Sequence, residues 1–211
     1  SLILFSLSCR AQVAGLSTLS VLDRSSSART AGLGMDYLAL YDDDIAISLD
    51  NPSFIDRRFD QQILLNYVGM FRGVNMGAVA YGKHFDKYGD FLFGIKFNSY
   101  GLFDGYDETD HPTGKFYAAD YAFSIGWGRH IDSCFSLGVN LKPTLSQYES
   151  YTAFALALDL AGSYTSRNKQ FAATLMARNI GAQLATFDGN VEKIPFELSA
   201  ALSYRLENAP F

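Results

Sequence analysis

Cysteine is almost missing: Cys9 and Cys134 are the only two in 211 residues, so there is no disulfide framework and no ligand spacing for a structural metal. Charge is scarce too. Asp, Glu, Lys and Arg make up 18%, below the roughly 25% of ordinary soluble domains, while aromatics reach 15%. That balance points to a protein with little water-facing surface. The net charge is -5 and no Lys/Arg-rich run occurs, which argues against nucleic acid as a partner. No apolar run reaches the roughly 18 residues of a membrane helix. Catalytic signatures are also missing: there is no GxSxG elbow, Walker loop or HExxH, and AGLGMD (31–36) carries two of the three glycines of a dinucleotide turn. His84, His111 and His130 fall in connections, away from any nucleophile, so a catalytic triad has no candidate. The expectation is a non-enzyme without a cofactor.

What is present has a period of two. The opening SLILFSLSCRAQVAG is a short apolar region ending in small and polar residues, the pattern of a removable secretory leader, expected over 1–12. Further on, Phe91, Phe93, Ile95 and Phe97 alternate with Leu92, Gly94, Lys96 and Asn98. Tyr117, Ala119, Tyr121, Phe123, Ile125 and Trp127 likewise alternate with Ala118, Asp120, Ala122, Ser124, Gly126 and Gly128. FSLGVNLK (135–142) and FELSAALSYRL (196–206) keep the same alternation, and weaker runs lie near 61–68, 73–83 and 169–178. With 151–164 these make about eight strands of roughly nine to thirteen residues, long for an ordinary sheet and right for a tilted bilayer crossing.

The connections alternate as well. HFDKYG (84–89), RHIDS (129–133) and TSRNK (165–169) are tight and polar, whereas 102–115 and 179–195 read as long loops. Short turns at one end and long loops at the other are the asymmetry of an antiparallel transmembrane β-barrel of the outer membrane. A soluble secreted sandwich or lipocalin-like barrel competes, but its outer faces would carry Lys, Glu, Thr and Gln, where these faces are mostly Gly, Ala and Ser. Aromatics such as Tyr117, Tyr121, Trp127, Tyr151, Tyr164 and Tyr204 suit interfacial girdles. The expected organisation is a segment over 13–56 that starts in the periplasm or the lumen, then barrel strands over 57–211, facing outer-membrane lipid.

Two groups of polar residues are candidates for function. Asp104, Tyr106, Asp107, Glu108, Asp110 and His111 read as a solvated loop that contacts a partner; their carboxylates could also hold a hard cation, but no EF-hand register is present. YDDD (41–44) reads as a turn before the strand-like IAISL. Lys96, Asp120, Lys142, Asp159, Glu197 and Arg205 are expected to be lumenal and to pair across the interior. Asp159 sets the register of YTAFALALDLAGSY (151–164). A strand puts Phe154, Leu156, Leu158, Leu160 and Tyr164 on lipid and Ala153, Ala155, Ala157, Asp159, Ala161 and Ser163 on the lumen. The expected partner of Asp159 is a Lys, an Arg or backbone from the N-terminal segment, because an unpaired buried carboxylate costs several kcal/mol.

Two segments carry a family resemblance. SSSARTAGLGMDYLALYDDDIAISLDNPSF (25–54) resembles the N-terminal region of the PorV and PorQ proteins of the type IX secretion system, through Ser-Ala-Arg, Leu-Gly and Asn-Pro. RNIGAQLATFDGNVEKIPFELSAALSYRLENAPF (178–211) resembles the PorQ branch, through NIGAQ, Phe-Asp-Gly, IPFEL and APF. Met35 stands where a second glycine is usual, and Ser53 where alanine usually follows Asn-Pro. The resemblance implies a FadL-like barrel of roughly fourteen strands, of which this chain holds part, with 13–56 as a hatch or plug. It implies a non-enzymatic role in the cell-surface attachment complex with PorU, PorV and PorZ, where PorU links cargo to lipopolysaccharide and PorQ anchors PorZ. A FadL-like channel for hydrophobic molecules is the alternative.

Overall fold

The computed structural model describes residues 2–7, 19–32, 38–39, 42–106, 109, 111–149, 151–187 and 193–205. The alternating runs become one antiparallel sheet of β1 (Leu2–Leu7), β2 (Ile63–Gly69), β3 (Asn75–Phe85), β4 (Gly89–Tyr106), β5 (Pro112–His130), β6 (Phe135–Tyr148), β7 (Tyr151–Thr165), β8 (Phe171–Ala185) and β9 (Glu197–Arg205). From β2 to β9 each strand pairs with the next in the chain, and these are the eight strands expected from the sequence. The residues read as a leader form β1, which pairs antiparallel on the far side of β9. A short apolar run readily satisfies the backbone groups of an open sheet edge, so this pairing marks β9 as unblocked. Among the described residues the edges β1 and β2 do not pair with each other, so the sheet has two free edges there. Among the described residues no helix is long and apolar enough to cross a membrane.

One face of the sheet is buried and small. On β7, Ala153, Ala155, Ala157, Asp159, Ala161 and Ser163 are buried, while Leu156 and Leu160 are exposed. The same alternation holds on β5 and β6, where Ala122, Ser124, Asn140, Lys142 and Thr144 are buried and Phe123, Ile125 and Leu137 are exposed. The cover on the small face is the chain before β2. Leu19, Val21 and Leu22 pack on Ala122, Ala155 and Ala157, and Leu49, Ile55 and Phe59 pack on Ala78, Ala80 and Leu92. Leu38 and Ala39 meet Ala161, Met176 and Ala201. Large side chains on the plug fit the space left by alanines on the sheet, and each buried Leu, Ile or Phe contributes about 1.5–3 kcal/mol.

The sheet curls around this plug. Lys96 on β4 pairs with the Asp50 carboxylate, and Arg178 on β8 donates to the Asp50 carbonyl at 3.2 Å. Four strand spacings separate β4 from β8, roughly 19 Å across a flat sheet. Parallel side chains standing that far apart could not meet at one residue, so the two strands must turn toward each other.

Within the plug, α1 (Ala28–Gly32) is followed by α2 (Ile45–Asp50) and a tight 3-10 turn at Pro52–Phe54. IAISL is therefore helical, not strand-like. The Asp44 side chain accepts from the Ala46 N–H at 2.9 Å and caps α2, and every α2 residue is buried. Enclosed without a strand to pair with, these residues satisfy their backbone groups internally, which a helix allows and a lone strand does not. The turn at Pro52–Phe54 lies against β5, β6 and β7. Glycine makes this approach possible: a Cβ on Gly138 would sit 2.1 Å from the Pro52 carbonyl, and one on Gly128 2.3 Å from the Ile55 oxygen. The plug continues past 56, because Phe59 belongs to its core and β2 begins only at Ile63.

The expected long loops are shorter than their sequences suggest. Leu102 to Tyr106 pair with Tyr117 to Pro112, so most of 102–115 is hairpin ladder. A bulge after Ser99, with Gly101 at φ 84°, shifts the register there, and the Phe103 and Phe116 rings stack at 5.3 Å. Likewise β8 runs on to Ala185 through a bulge at Asn179, whose φ is 55°. Bulges reset the parity of a strand, so a strict two-residue period stops short of the true strand end.

Candidate functional site

Two features lie between plug and sheet. The first is a charged centre around a cavity of about 20 Å³, lined by Arg24, Asp50, Lys96, Lys142, Asp159 and Arg178 with Leu22 and Leu49. That volume suits a single water, not a solute path. Lys142 Nζ lies 2.8 Å from Asp159 Oδ1 and also donates to the Asn179 side chain. Asp159 accepts the Asn179 backbone N–H at 2.8 Å. The partners of Asp159 thus come from β6 and β8, not from the plug. The reason is the bulge: Leu158 opposes Ile180 and Leu160 opposes Ala177, so Asp159 faces an extra residue whose N–H the ladder leaves free.

Lys96 holds the plug directly. Besides Asp50, it donates to the Arg24 carbonyl at 3.0 Å, and the Ser26 N–H reaches Asp50 at 3.1 Å. Asn179 extends the network to the Pro195 carbonyl at 2.9 Å and to Asp23 at 3.3 Å. Burial, followed by the nearby charge of Glu197, raises the Asp23 carboxyl above its usual value, although Lys142 and Arg178 oppose the shift. Ser53 bonds Ser163 at 2.6 Å, and Ser163 bonds Thr174 at 2.6 Å. Its hydroxyl ties the Asn-Pro turn to β7 and β8.

At the short-turn end the plug brings Asp56 to the end of β5. Arg58 donates to it at 2.7 Å, and His130 Nε2 lies 3.6 Å away. Burial alone would raise the Asp56 carboxyl, but the nearby His130 and the hydrogen bonds from Arg58 outweigh it and the net shift is downward.

The second feature is a pocket of about 500 Å³ near the β4–β5 and β6–β7 hairpins, lined by Ser20, Tyr100, Phe103, Ala118, Asp120, Ser146, Gln147, Tyr148, Tyr151 and Phe187. Asp120 is 3% exposed and accepts from the Tyr100 hydroxyl at 2.7 Å and from Ser146. Tyr100 also meets the Ser20 hydroxyl at 2.9 Å.

Of the six residues expected inside, Lys96, Lys142 and Asp159 line the charged centre and Asp120 the pocket. Glu197 is half-buried, accepts from Ser199 and acts on Asp23 through its charge. Arg205 has the same strand parity, but it ends β9 exposed and takes no part. In the expected contact loop, Asp104 is an exposed strand residue 3.8 Å from Lys115, and Tyr106 ends β4 opposite Pro112. His111 is exposed beside Thr109, at 2.9 Å, while Asp107, Glu108 and Asp110 lie outside the described residues. His84 and His130 belong to strand ends rather than to connections; His84 lies 2.6 Å from Asp90. Among the described residues no three His, Cys, Asp or Glu side chains gather as a metal site.

Sequence reasoning missed Asp50, Arg178, Asn179 and Tyr100. Arg178 ends the run read as a strand over 169–178 and Asn179 opens the stretch read as a loop over 179–195, so the boundary fell between two residues of one network. The class that fold and site define is an antiparallel β-sheet curled over its own N-terminal plug. Comparisons with protein-family models, curated proteins and solved structures find no match for this chain.

Proposed function

We infer that the chain is part of a FadL-like outer-membrane β-barrel that serves the type IX secretion system as a non-enzymatic, PorQ-like component, anchoring the cell-surface attachment complex. The observation that carries the membrane reading is the outer face of the sheet. Ile63, Leu65, Tyr81, Phe93, Phe123, Ile125, Leu137, Leu160, Leu175, Leu198 and Leu202 are exposed there. Soluble monomers rarely expose contiguous apolar patches beyond a few hundred Å². Tyr117 and Trp127 on β5 are ten residues apart, roughly 33 Å of strand, which at a tilt of about 40° matches the ~25 Å apolar band of such barrels.

A scaffold reading is supported by the inner face. Plug residues fill it, Lys96 ties them to the sheet through the Asp50 carboxylate and Arg178 through the Asp50 carbonyl, and a water-sized cavity is left at the centre. The secretion-system assignment rests on the resemblance of 25–54 and 178–211, and it brings PorZ, PorU and PorV-like proteins as partners. A FadL-like channel for hydrophobic molecules is the second reading, favoured by the aromatic pocket.

The test is affinity capture of the full-length protein from its native outer membrane, with and without the hairpin tip 107–111. Recovery of PorZ-like and PorU-like proteins, weakened by loss of the tip, is expected. Loss of solute uptake in a strain lacking the protein, with the attachment complex intact, would overturn the scaffold reading in favour of the channel.

A further inference from the structure

The inward charges of the sheet fall into two kinds. Lys96 pairs with Asp50 and Lys142 with Asp159. Asp120 has no cation at ion-pair distance among the described residues; its bonds come from the neutral hydroxyls of Tyr100 and Ser146. Two carboxylate oxygens offer about four acceptor positions, so two neutral donors leave room for another. A buried carboxylate in this state is costly unless a positive group joins it. Around it the pocket walls are aromatic: Tyr100, Phe103, Tyr148, Tyr151 and Phe187. Aromatic faces attract cations, and a volume of about 500 Å³ lies within the range of small-molecule sites.

We propose that this pocket binds a small organic cation, with its ammonium on Asp120 and its apolar body against Tyr148, Tyr151 and Phe103. The charge selects against fatty-acid-like anions, which would meet Asp120 with no compensating cation among the lining residues. This site is separate from the hairpin tip and from the plug's charged centre, so the inference stands or falls apart from the scaffold reading.

The test uses the full chain in uncharged detergent micelles at pH 7 and fluorine NMR of three probes: 4-fluorophenethylamine, 2-(4-fluorophenyl)ethanol and 4-fluorophenylacetate. The amine should bind at least tenfold tighter than the alcohol, with no measurable binding of the carboxylate. Asp120→Asn should weaken the amine tenfold or more and change the alcohol less than twofold. Tyr151→Leu, at a position 52% exposed and so tolerant of substitution, should weaken the amine about threefold. Equal binding of amine and alcohol to the wild-type chain would overturn the proposal, as would amine binding that Asp120→Asn leaves unchanged. The wild-type comparison decides even where a variant does not fold.

Discussion

Replacing Lys142 by Met removes one half of a buried ion pair and leaves the other half in place. Lys142 is 8% and Asp159 2% exposed, and their charged atoms are 2.8 Å apart. Breaking such a pair from one side costs about 3–5 kcal/mol, because the remaining charge stays desolvated. Asp159 keeps the Asn179 N–H, so the lower figure applies: about 3 kcal/mol, or roughly 150-fold in the folding constant. Trp127, the single tryptophan, is bonded to the Tyr88 carbonyl at 2.8 Å and reports unfolding by its fluorescence. Urea titration of the chain in detergent micelles should show this loss for Lys142→Met. The double variant Lys142→Met with Asp159→Asn should recover at least half of it, since no uncompensated charge remains. A Lys142→Met variant within about 1 kcal/mol of wild type would refute the reasoning and mean that water screens the pair.

Gly138→Ala should displace the Pro52–Phe54 turn, because a Cβ there meets the Pro52 carbonyl at 2.1 Å; limited proteolysis should cut near 52–59 while strand content by circular dichroism is unchanged. Asp56 has a lowered carboxyl pKa, so its contribution is present above the ordinary value of about 3.9 and fades as pH falls through the lower folded value. Asp56→Asn should therefore destabilise the chain by about 1–2 kcal/mol at pH 7 and weaken the acid dependence of urea unfolding between pH 5 and 3. Equal acid dependence in both proteins would place the titrating group elsewhere.

The strands were legible because their cause is local: one small face and one large apolar face impose a period of two, visible in β4, β5, β6 and β7 without any tertiary information. The face assignment of Asp159 followed from the same parity. Its partners did not, because a bulge at Asn179 depends on pairing with β7 and leaves no mark on hydrophobic periodicity. Helix α2 was hidden for a related reason: Ile45, Ile47 and Leu49 alternate as a strand would, and only their burial between the Pro52–Phe54 turn and β3 and β4 decides for a helix. The convergence of Lys96 and Arg178 on Asp50 joins residues from 50 to 178 and requires the sheet's curvature, which no local pattern encodes.

In a membrane-spanning sheet of this kind the outer face meets lipid and the inner face meets the plug. Spin labels placed one at a time at residues 155 to 161 of β7, in a chain whose Cys9 and Cys134 are replaced by Ser and which is reconstituted in bilayers, test this directly. Collision with oxygen, which concentrates in lipid, should peak at 156, 158 and 160, with immobile labels at 155, 157, 159 and 161. Labels at 156 and 160 that collide with a water-soluble nickel complex instead would contradict the membrane reading.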